Sequence, residues 1–400
     1  MIEEEDARAQ ILAAVPSSAA EVVGIDEALG RYVSQDVVAR VSIPGFDNSA
    51  MDGYAVRAVD AAEGACLNVV GEQPAGGDMG LVLGEGEAIR IFTGAPMPKG
   101  ADAVVMQEDT EREGDVVKIT DAAQPGEFVR RRGGDLCEGQ RILAAGDRLT
   151  AQRIGLLASQ GMGEVAVGRL PQVGILSTGD ELIDPGRKLG SGEIYNSNSV
   201  MLAMMVQRLA PGAIAVRRYH SGDELSELEA TVTRALEEND VLVIAGGVSV
   251  GDRDLVKPVL ENCGVGMGFW RVRLKPGKPF LFGRDELGRK LVFGLPGNPV
   301  SAFVTFEVFV APALRRWMGA REDEVLPPAI RLELAEVISN AGDRPHYARG
   351  VLDLPAGRFS PFDMQQSHAL NSLAKADGLL RLEAGETLEK GAQVSVFPVA

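Results

Sequence analysis

Three short glycine-rich segments bring together the residue types that hold phosphate: Ser177 to Glu181 (STGDE), Gly246 to Asp252 (GGVSVGD) and Gly294 to Ser301 (GLPGNPVS). Each follows an apolar run. Glycine lets backbone N–H groups approach phosphate oxygens, and the start of a following helix favours negative charge. The hydroxyls of Ser177, Thr178, Ser249 and Ser301 add donors. One such loop would be no more than a turn, whereas three in one domain point to a phosphorylated ligand at the carboxyl ends of parallel strands. None fits GxGxxG before a helix or GxxxxGK[ST], which excludes Rossmann and Walker sites. Asp180, Glu181, Asp252 and Asp254 lie in the same loops. Carboxylates beside phosphate call for a divalent cation, usually Mg²⁺; helix capping competes with this, above all for Asp252.

A second chemistry is written in RVRLKPGKPF, where Arg271, Arg273, Lys275 and Lys278 surround a Pro-Gly turn. If the segment is a strand, alternation puts Arg271, Arg273 and Lys275 on one face as an anion clamp. A solvated edge strand blunted by Lys and Pro is the alternative. Three further polar loops, FDNSAMDGYA around Asp52, RIFTGAP around Thr93 and RRRGGD ending at Asp135, read equally well as sites or as turns.

The elements that position these residues follow from periodicity and punctuation. Residues 3–15 read as an amphipathic helix with Ile11, Leu12 and Val15 as its stripe, and a short helix at 25–30 stops at Gly30. From about 45 to 146 the chain is rich in Gly and Pro with short β-like runs, a β-rich insertion. Thr150 then caps a helix that Gly161 closes. From Pro171 apolar strands alternate with helices, with Asp223 near the cap of the helix DELSELEATVTRALEE, which implies a parallel sheet covered on both faces. Short strands from 326 onward suggest a small β-barrel. The fold class is therefore multidomain α/β plus β. Its domains are a helical and mixed one (1–45 with 147–170), an inserted β-rich one (46–146), a central three-layer α/β one (171–325) and a C-terminal β-barrel (326–400).

The whole chain narrows the function. With 40 Lys and Arg against 57 Asp and Glu, the net charge of −17 disfavours nucleic acid and anionic lipid as general partners. Three scattered cysteines and only three histidines argue against disulfides and thiolate or imidazole metal sites. No run approaches a membrane span, and the acidic N-terminus is unlike a signal peptide, so a cytoplasmic protein is expected. The scarcity of histidine also disfavours a Ser-His-Asp hydrolase.

Taken together and in order, FDNSAMDGYA, IFTGAPMPKGAD, RRRGGD, STGDEL, GGVSVGDRD, KPGKPF and GLPGNPVSA resemble the molybdopterin molybdenumtransferase family, bacterial MoeA and the E domain of gephyrin. The resemblance spans essentially the full chain and implies a central domain of the molybdopterin-binding type. It implies a homodimer that inserts molybdate into adenylylated molybdopterin in the presence of Mg²⁺ and releases AMP. By motif position, Ser177, Thr178, Gly179, Asp180, Gly246, Gly247, Ser249, Gly251, Pro296, Gly297, Asn298 and Ser301 would hold the pterin nucleotide. Glu181 and Asp254 would bind Mg²⁺, and Lys275, Lys278, Pro279, Arg349 and Ser367 the molybdate. Asp52, Thr93 and Asp135 would act with Glu181 in catalysis, the first three from the neighbouring subunit. The resemblance also implies transient contact with the molybdopterin adenylyltransferase, or, in the alternative, a scaffold role like that of gephyrin. Two departures stand out: Asn196 where the family commonly has Asp, and Leu255 where an aromatic is common.

Overall fold

The structure is a computed structural model that describes residues 1–17, 19–248 and 255–399. The chain divides into two compact units, Asp36–Leu143 and the remainder. In the smaller unit, strand Val37–Val38 pairs with Arg141–Leu143, which joins its two chain ends. Its body is a six-stranded sheet in the order Ala103–Met106, Gly53–Val56, Glu87–Ile91, Cys66–Gln73, Val116–Ile119, Thr110–Glu113. Gly53 is required there: a Cβ would lie 1.9 Å from Val105 O.

The larger unit starts with helix α1 (Glu4–Ala14), whose Ala7 and Ile11, one turn apart, are fully buried. Full burial of an Ile is worth about 2 kcal/mol. Helix α2 (Ala151–Ser159) begins where Thr150 Oγ1 accepts from Arg153 N at 3.4 Å and ends before Gly161, at φ +68°. The central sheet then runs β1 (Val173–Thr178), β2 (Val216–Ser221), β3 (Val241–Ala245), β4 (Val265–Trp270), β5 (Leu281–Asp285) and β6 (Leu291–Leu295), in the order β2-β1-β3-β6-β5-β4. Four strands are parallel, and β5 and then β4, the edge, continue the sheet antiparallel.

Alternation sorts each strand between two cores. Val173, Ile175, Val241, Val243 and Phe293 face α3 (Ser197–Leu209), α6 (Pro299–Thr305) and the helical segment after it. Leu176, Leu242, Ile244 and Val292 face α4 (Leu225–Glu238) and α5 (Val256–Asn262). Because both faces are covered, β3 and β6 are apolar throughout, the near-continuous pattern of a buried parallel strand. The α4 cap is Glu224, whose carboxylate accepts from Ser226 N and Glu227 N, and not Asp223.

The C-terminal region closes a five-stranded barrel from Ile330–Leu334, Arg358–Pro361, β7 (His346–Asp353), β8 (Gly378–Leu382) and β9 (Gln393–Pro398). Glu4 fastens α1 to it: the buried carboxylate accepts from Tyr347 Oη (2.6 Å) on β7, from Arg381 Nε (2.9 Å) on β8 and from Arg8 Nη1 (3.1 Å). Burial and the Glu4 charge both push the Tyr347 phenol above its ordinary pKa, so it stays a donor. No helix of the described residues is long and apolar enough to cross a membrane.

Candidate functional site

A cleft of about 650 Å³ opens at the carboxyl ends of β1 and β3. The strand order places β2 on one side of β1 and β3 on the other, so the cleft lies at a topological switch point, where open α/β sheets bind ligands. Its volume suits a cofactor-sized molecule. A second cavity, between α1 and the barrel, measures only about 190 Å³ and is lined by structural residues such as Glu4, Tyr347 and Arg381.

Of the expected nucleotide-binding residues, Ser177, Thr178, Gly179, Gly246, Gly247, Pro296, Gly297 and Asn298 line the cleft, as does Glu181. Gly246 and Gly247 take φ +97° and +62°. A Cβ on Gly247 would meet Val256 Cγ2 at 2.6 Å and Thr178 Oγ1 at 2.9 Å, so only glycine lets this backbone pass so close to the end of β1. Gly179, at φ +139°, has the Glu181 carboxylate folded against it. Ser249, Gly251 and Asp254, with Asp252, lie outside the described residues.

Several side chains counted as ligand donors are committed inside the protein. Ser177 is fully buried; its hydroxyl donates to Tyr219 O (3.3 Å) and accepts from Asn196 Nδ2 (2.6 Å). It supports the loop and does not offer its hydroxyl to a ligand. Asn196, the residue noted as a departure, also caps α3 by accepting from Ser199 N at 3.2 Å, a task Asn and Asp share. Ser301 is 5% exposed within α6 and does not line the cleft. Asp180 accepts from Asp223 N at 3.1 Å and holds the loop after β2. Asp223, left out of the site from the sequence, lines the cleft together with Ser197, Asn198 and His368. The clue was the position of Ser197 and Asn198 in the first turn of a helix that points its start at the sheet's carboxyl edge.

The cationic segment is not a strand. Arg271 sits at φ +78° and Lys278 lies between two prolines, which lack an N–H, so no ladder forms. Consequently Arg271 and Arg273 do not share a face with Lys275. Arg271 stacks on Trp270 (4.4 Å), while Arg273 pairs with Glu3 (3.2 Å) and donates to Asp343 O. Lys275 and Lys278 remain exposed, with no carboxylate partner among the described residues. The barrel holds their turn: Lys275 N donates to Pro345 O and Tyr347 N to Lys275 O, both at 2.8 Å. Pro279, next along the turn, lines the cleft.

Arg349 is 1% exposed and spends its guanidinium on three carbonyls, Met364 O (2.9 Å), Gln366 O (3.2 Å) and Ala369 O (3.3 Å). It anchors the loop that carries Ser367 and His368. Ser367 Oγ accepts from Asn298 Nδ2 at 3.1 Å and Ser367 O from Val300 N at 3.2 Å, which locks this loop to the GLPGNP turn. Between Lys275 and Arg349 on the barrel lies His346, 4% exposed. Burial, then the Lys275 and Arg349 charges, push its pKa down to about 4, so it is neutral at pH 7.

In the smaller unit, Asp52 is exposed, and its Oδ1 accepts from Thr93 N (2.7 Å) and Thr93 Oγ1 (2.8 Å). The Thr93 N–H and hydroxyl, with the Arg90 charge beyond, hold its pKa below the ordinary value. The result is an ionised, oriented carboxylate, unsuited to carry a proton near neutrality. Asp135 is exposed, with its backbone N–H donating to Ile43 O at 3.0 Å. Among the described residues no group of three or more His, Cys, Asp or Glu could cage a metal ion.

These features define a multidomain α/β protein with a cleft at a switch point, a cationic turn beside it and a small barrel holding that turn in place. The chain matches the MoeA N-terminal region (domains I and II) over residues 2–161, a probable molybdopterin binding domain over 174–316 and the MoeA C-terminal region (domain IV) over 331–399. It is 35% identical to the molybdopterin molybdenumtransferase of Haemophilus influenzae, over 97% of this chain and 98% of that one. It is 39% identical to molybdopterin molybdenumtransferase 2 of Mycobacterium tuberculosis, over 94% of each. Among solved structures, the molybdopterin biosynthesis moeA protein of Pyrococcus horikoshii OT3 superposes with a TM-score of 0.85 at 30% identity over the whole of both chains. The chain belongs to the molybdopterin molybdenumtransferase family.

Proposed function

We propose that this enzyme inserts molybdate into adenylylated molybdopterin, with release of AMP, in molybdenum cofactor biosynthesis. The carrying observation is the junction of two binding chemistries at Pro279: a cleft walled by glycine, hydroxyl and amide groups on one side, and on the other two lysines without a carboxylate partner among the described residues. The cleft takes the pterin nucleotide. Lys275 and Lys278 neutralise the molybdate dianion and orient its oxygens beside it. Arg349 and Ser367 act by fixing the loop opposite, Arg349 through backbone carbonyls and Ser367 through Asn298.

The carboxylates of Glu181 and Asp223 on the cleft wall suit an Mg²⁺ that arrives on phosphate oxygens, since this ion needs only one or two protein carboxylates in such sites. The ion would supply charge neutralisation at the pyrophosphate, with Glu181 and Asp223 as the carboxylates that would hold it; Asp254, the other expected ligand, lies outside the described residues. In a homodimer, Asp52, Thr93 and Asp135 of a second copy act on the same substrate, Asp52 as a fixed negative acceptor. The substrate comes from an adenylyltransferase in a cytoplasmic pathway.

The test is AMP release from adenylylated molybdopterin with and without molybdate. Molybdate-dependent release is expected, and folded protein that shows none refutes the transferase. Replacing Lys275 and Lys278 by Ala should raise the molybdate concentration needed at least about tenfold, the loss of two charge-assisted contacts. An unchanged requirement would place the anion elsewhere.

A further inference from the structure

Asp52 is exposed, so its two hydrogen bonds from Thr93 compete with water and hold the carboxylate weakly by themselves. Its backbone belongs to a tighter arrangement. Gly53 pairs with Ile91 on one side and Met106 on the other, and Asp52 O accepts from Gln107 N at 3.1 Å. Three segments therefore meet at Asp52: its own turn, Arg90 to Thr93, and Gln107.

One side chain ties all three together. From the strand Glu87–Ile91, Arg90 Nη1 donates to Gly53 O at 3.0 Å and Arg90 Nη2 to Gln107 Oε1 at 2.7 Å. The guanidinium lies over the rings of Tyr54 (5.3 Å) and Phe92 (5.0 Å), which hold its plane. Every one of these contacts ends on a neighbour of Asp52. Gly53 follows it, Gln107 N holds its carbonyl, and Phe92 precedes Thr93, the donor to its carboxylate. Both Nη groups are directed at neutral oxygens of the protein, the geometry of a brace and not of an anion ligand.

We infer that Arg90 is a positioning residue whose guanidinium fork fixes the direction of the Asp52 carboxylate by bracing Gly53, Gln107 and Phe92 against one another. The inference rests on the reading above in which Asp52 acts on the substrate. The fork matters more than the charge, because an ammonium head cannot span the two acceptors in one plane.

Kinetics and NMR on the full-length protein test this together. Arg90→Lys keeps the charge and an aliphatic stem over the two rings but lacks the fork. It should lower kcat for molybdate-dependent AMP release at least about tenfold with KM for molybdate unchanged, since a misdirected group costs turnover and not binding. Gln107→Ala, at an exposed position, removes one arm of the brace and keeps the backbone donor to Asp52 O. It should lower kcat in the same way but by less. Independently of turnover, threonine amides labelled with ¹⁵N report the bond itself, the Thr93 resonance being the one missing from Thr93→Val. Exchange of that amide with water should quicken at least about tenfold in Arg90→Lys, as the bond to Asp52 opens.

Thr93 exchange at the wild-type rate in Arg90→Lys overturns the inference. So does a raised KM for molybdate with kcat unchanged, which would make Arg90 an anion ligand. Faster exchange without any molybdate-dependent AMP release, in wild type or variant, would sink the transferase reading and leave the brace standing. Faster exchange with wild-type kcat would remove Asp52 from the reaction.

Discussion

A buried, neutral His346 makes a prediction that can be followed atom by atom. The imidazole starts barrel strand β7 directly across from Lys275, is 4% exposed, and neither ring nitrogen has a partner among the described residues. Burial and the two nearby cations lower its pKa from 6.5 to about 4. In the unfolded chain the ordinary value returns. Between pH 6.5 and 4 the unfolded state therefore binds a proton that the folded state refuses, and stability falls as pH falls. The slope approaches about 1.4 kcal/mol per pH unit, the contribution is fully present above pH 6.5, and no more is lost below pH 4. Between pH 7 and pH 5 this amounts to about 2 kcal/mol. With only three histidines in the chain, imidazole NMR can follow each one, and His346→Gln identifies the resonance. At pH 5.5 an ordinary histidine is about 90% protonated; His346 should still be neutral. In urea unfolding, the stability of wild type relative to His346→Gln should fall by about 2 kcal/mol from pH 7 to pH 5. A titration midpoint near 6.5, or a pH-independent difference, would refute the reasoning.

Two further perturbations follow from the geometry. Glu4→Ala strips the partner from Tyr347 Oη and Arg381 Nε at once, and should cost about 3 kcal/mol, read as a lower thermal midpoint; an unchanged midpoint would mean that α1 is not fastened through this carboxylate. Thr93→Val keeps the backbone donor to Asp52 but removes the hydroxyl donor. The Asp52 pKa then rises toward its ordinary value, so the acid limb of AMP release should move to higher pH, and a fixed limb would remove Asp52 from the protonation states that matter.

Local signals were legible wherever the structure is local. Thr150 and Gly161 bracket α2, Gly30 adopts φ +79°, and the apolar runs of β1, β3 and β6 are buried strands. The sequence misled where the deciding partner is remote. RVRLKPGKPF alternates like a strand, yet it folds back on itself through Arg271 N to Phe280 O and Val272 N to Lys278 O, and its other backbone bonds go to Ile2, Pro345 and Tyr347, so it forms no continuous ladder. Ser177 reads as a phosphate donor because its loop looks like one. Its hydroxyl faces Tyr219 O and Asn196, contacts set by β2 and α3. Arg349 reads as an anion ligand, but what a guanidinium binds depends on the carbonyls nearby, and the turn from Met364 to Ala369 supplies three. Motif spacing names residues that belong to one site; it cannot say which of their atoms remain available.

That distinction organises the site. Polar atoms that find partners inside the protein, those of Ser177, Asn196, Asp180, Asn298 and Arg349, brace three loops against one another. Among the described residues, the groups left over include the ammonium groups of Lys275 and Lys278 and the carboxylates of Glu181 and Asp223. The first two are donors for an anion and the last two suit the cation that accompanies phosphate, so each leftover group serves one part of the chemistry. A brace that fails should loosen every contact together, raising KM for both substrates. Loss of a leftover group should affect one substrate only. Arg349→Lys and Lys278→Ala therefore make a discriminating pair: a Lys has one head for three carbonyls and cannot hold the Met364–Ala369 turn. Arg349→Lys should weaken nucleotide and molybdate alike, Lys278→Ala molybdate alone. If Arg349→Lys weakened molybdate alone, Arg349 would be an anion ligand after all, and the three carbonyl contacts would be incidental to its role.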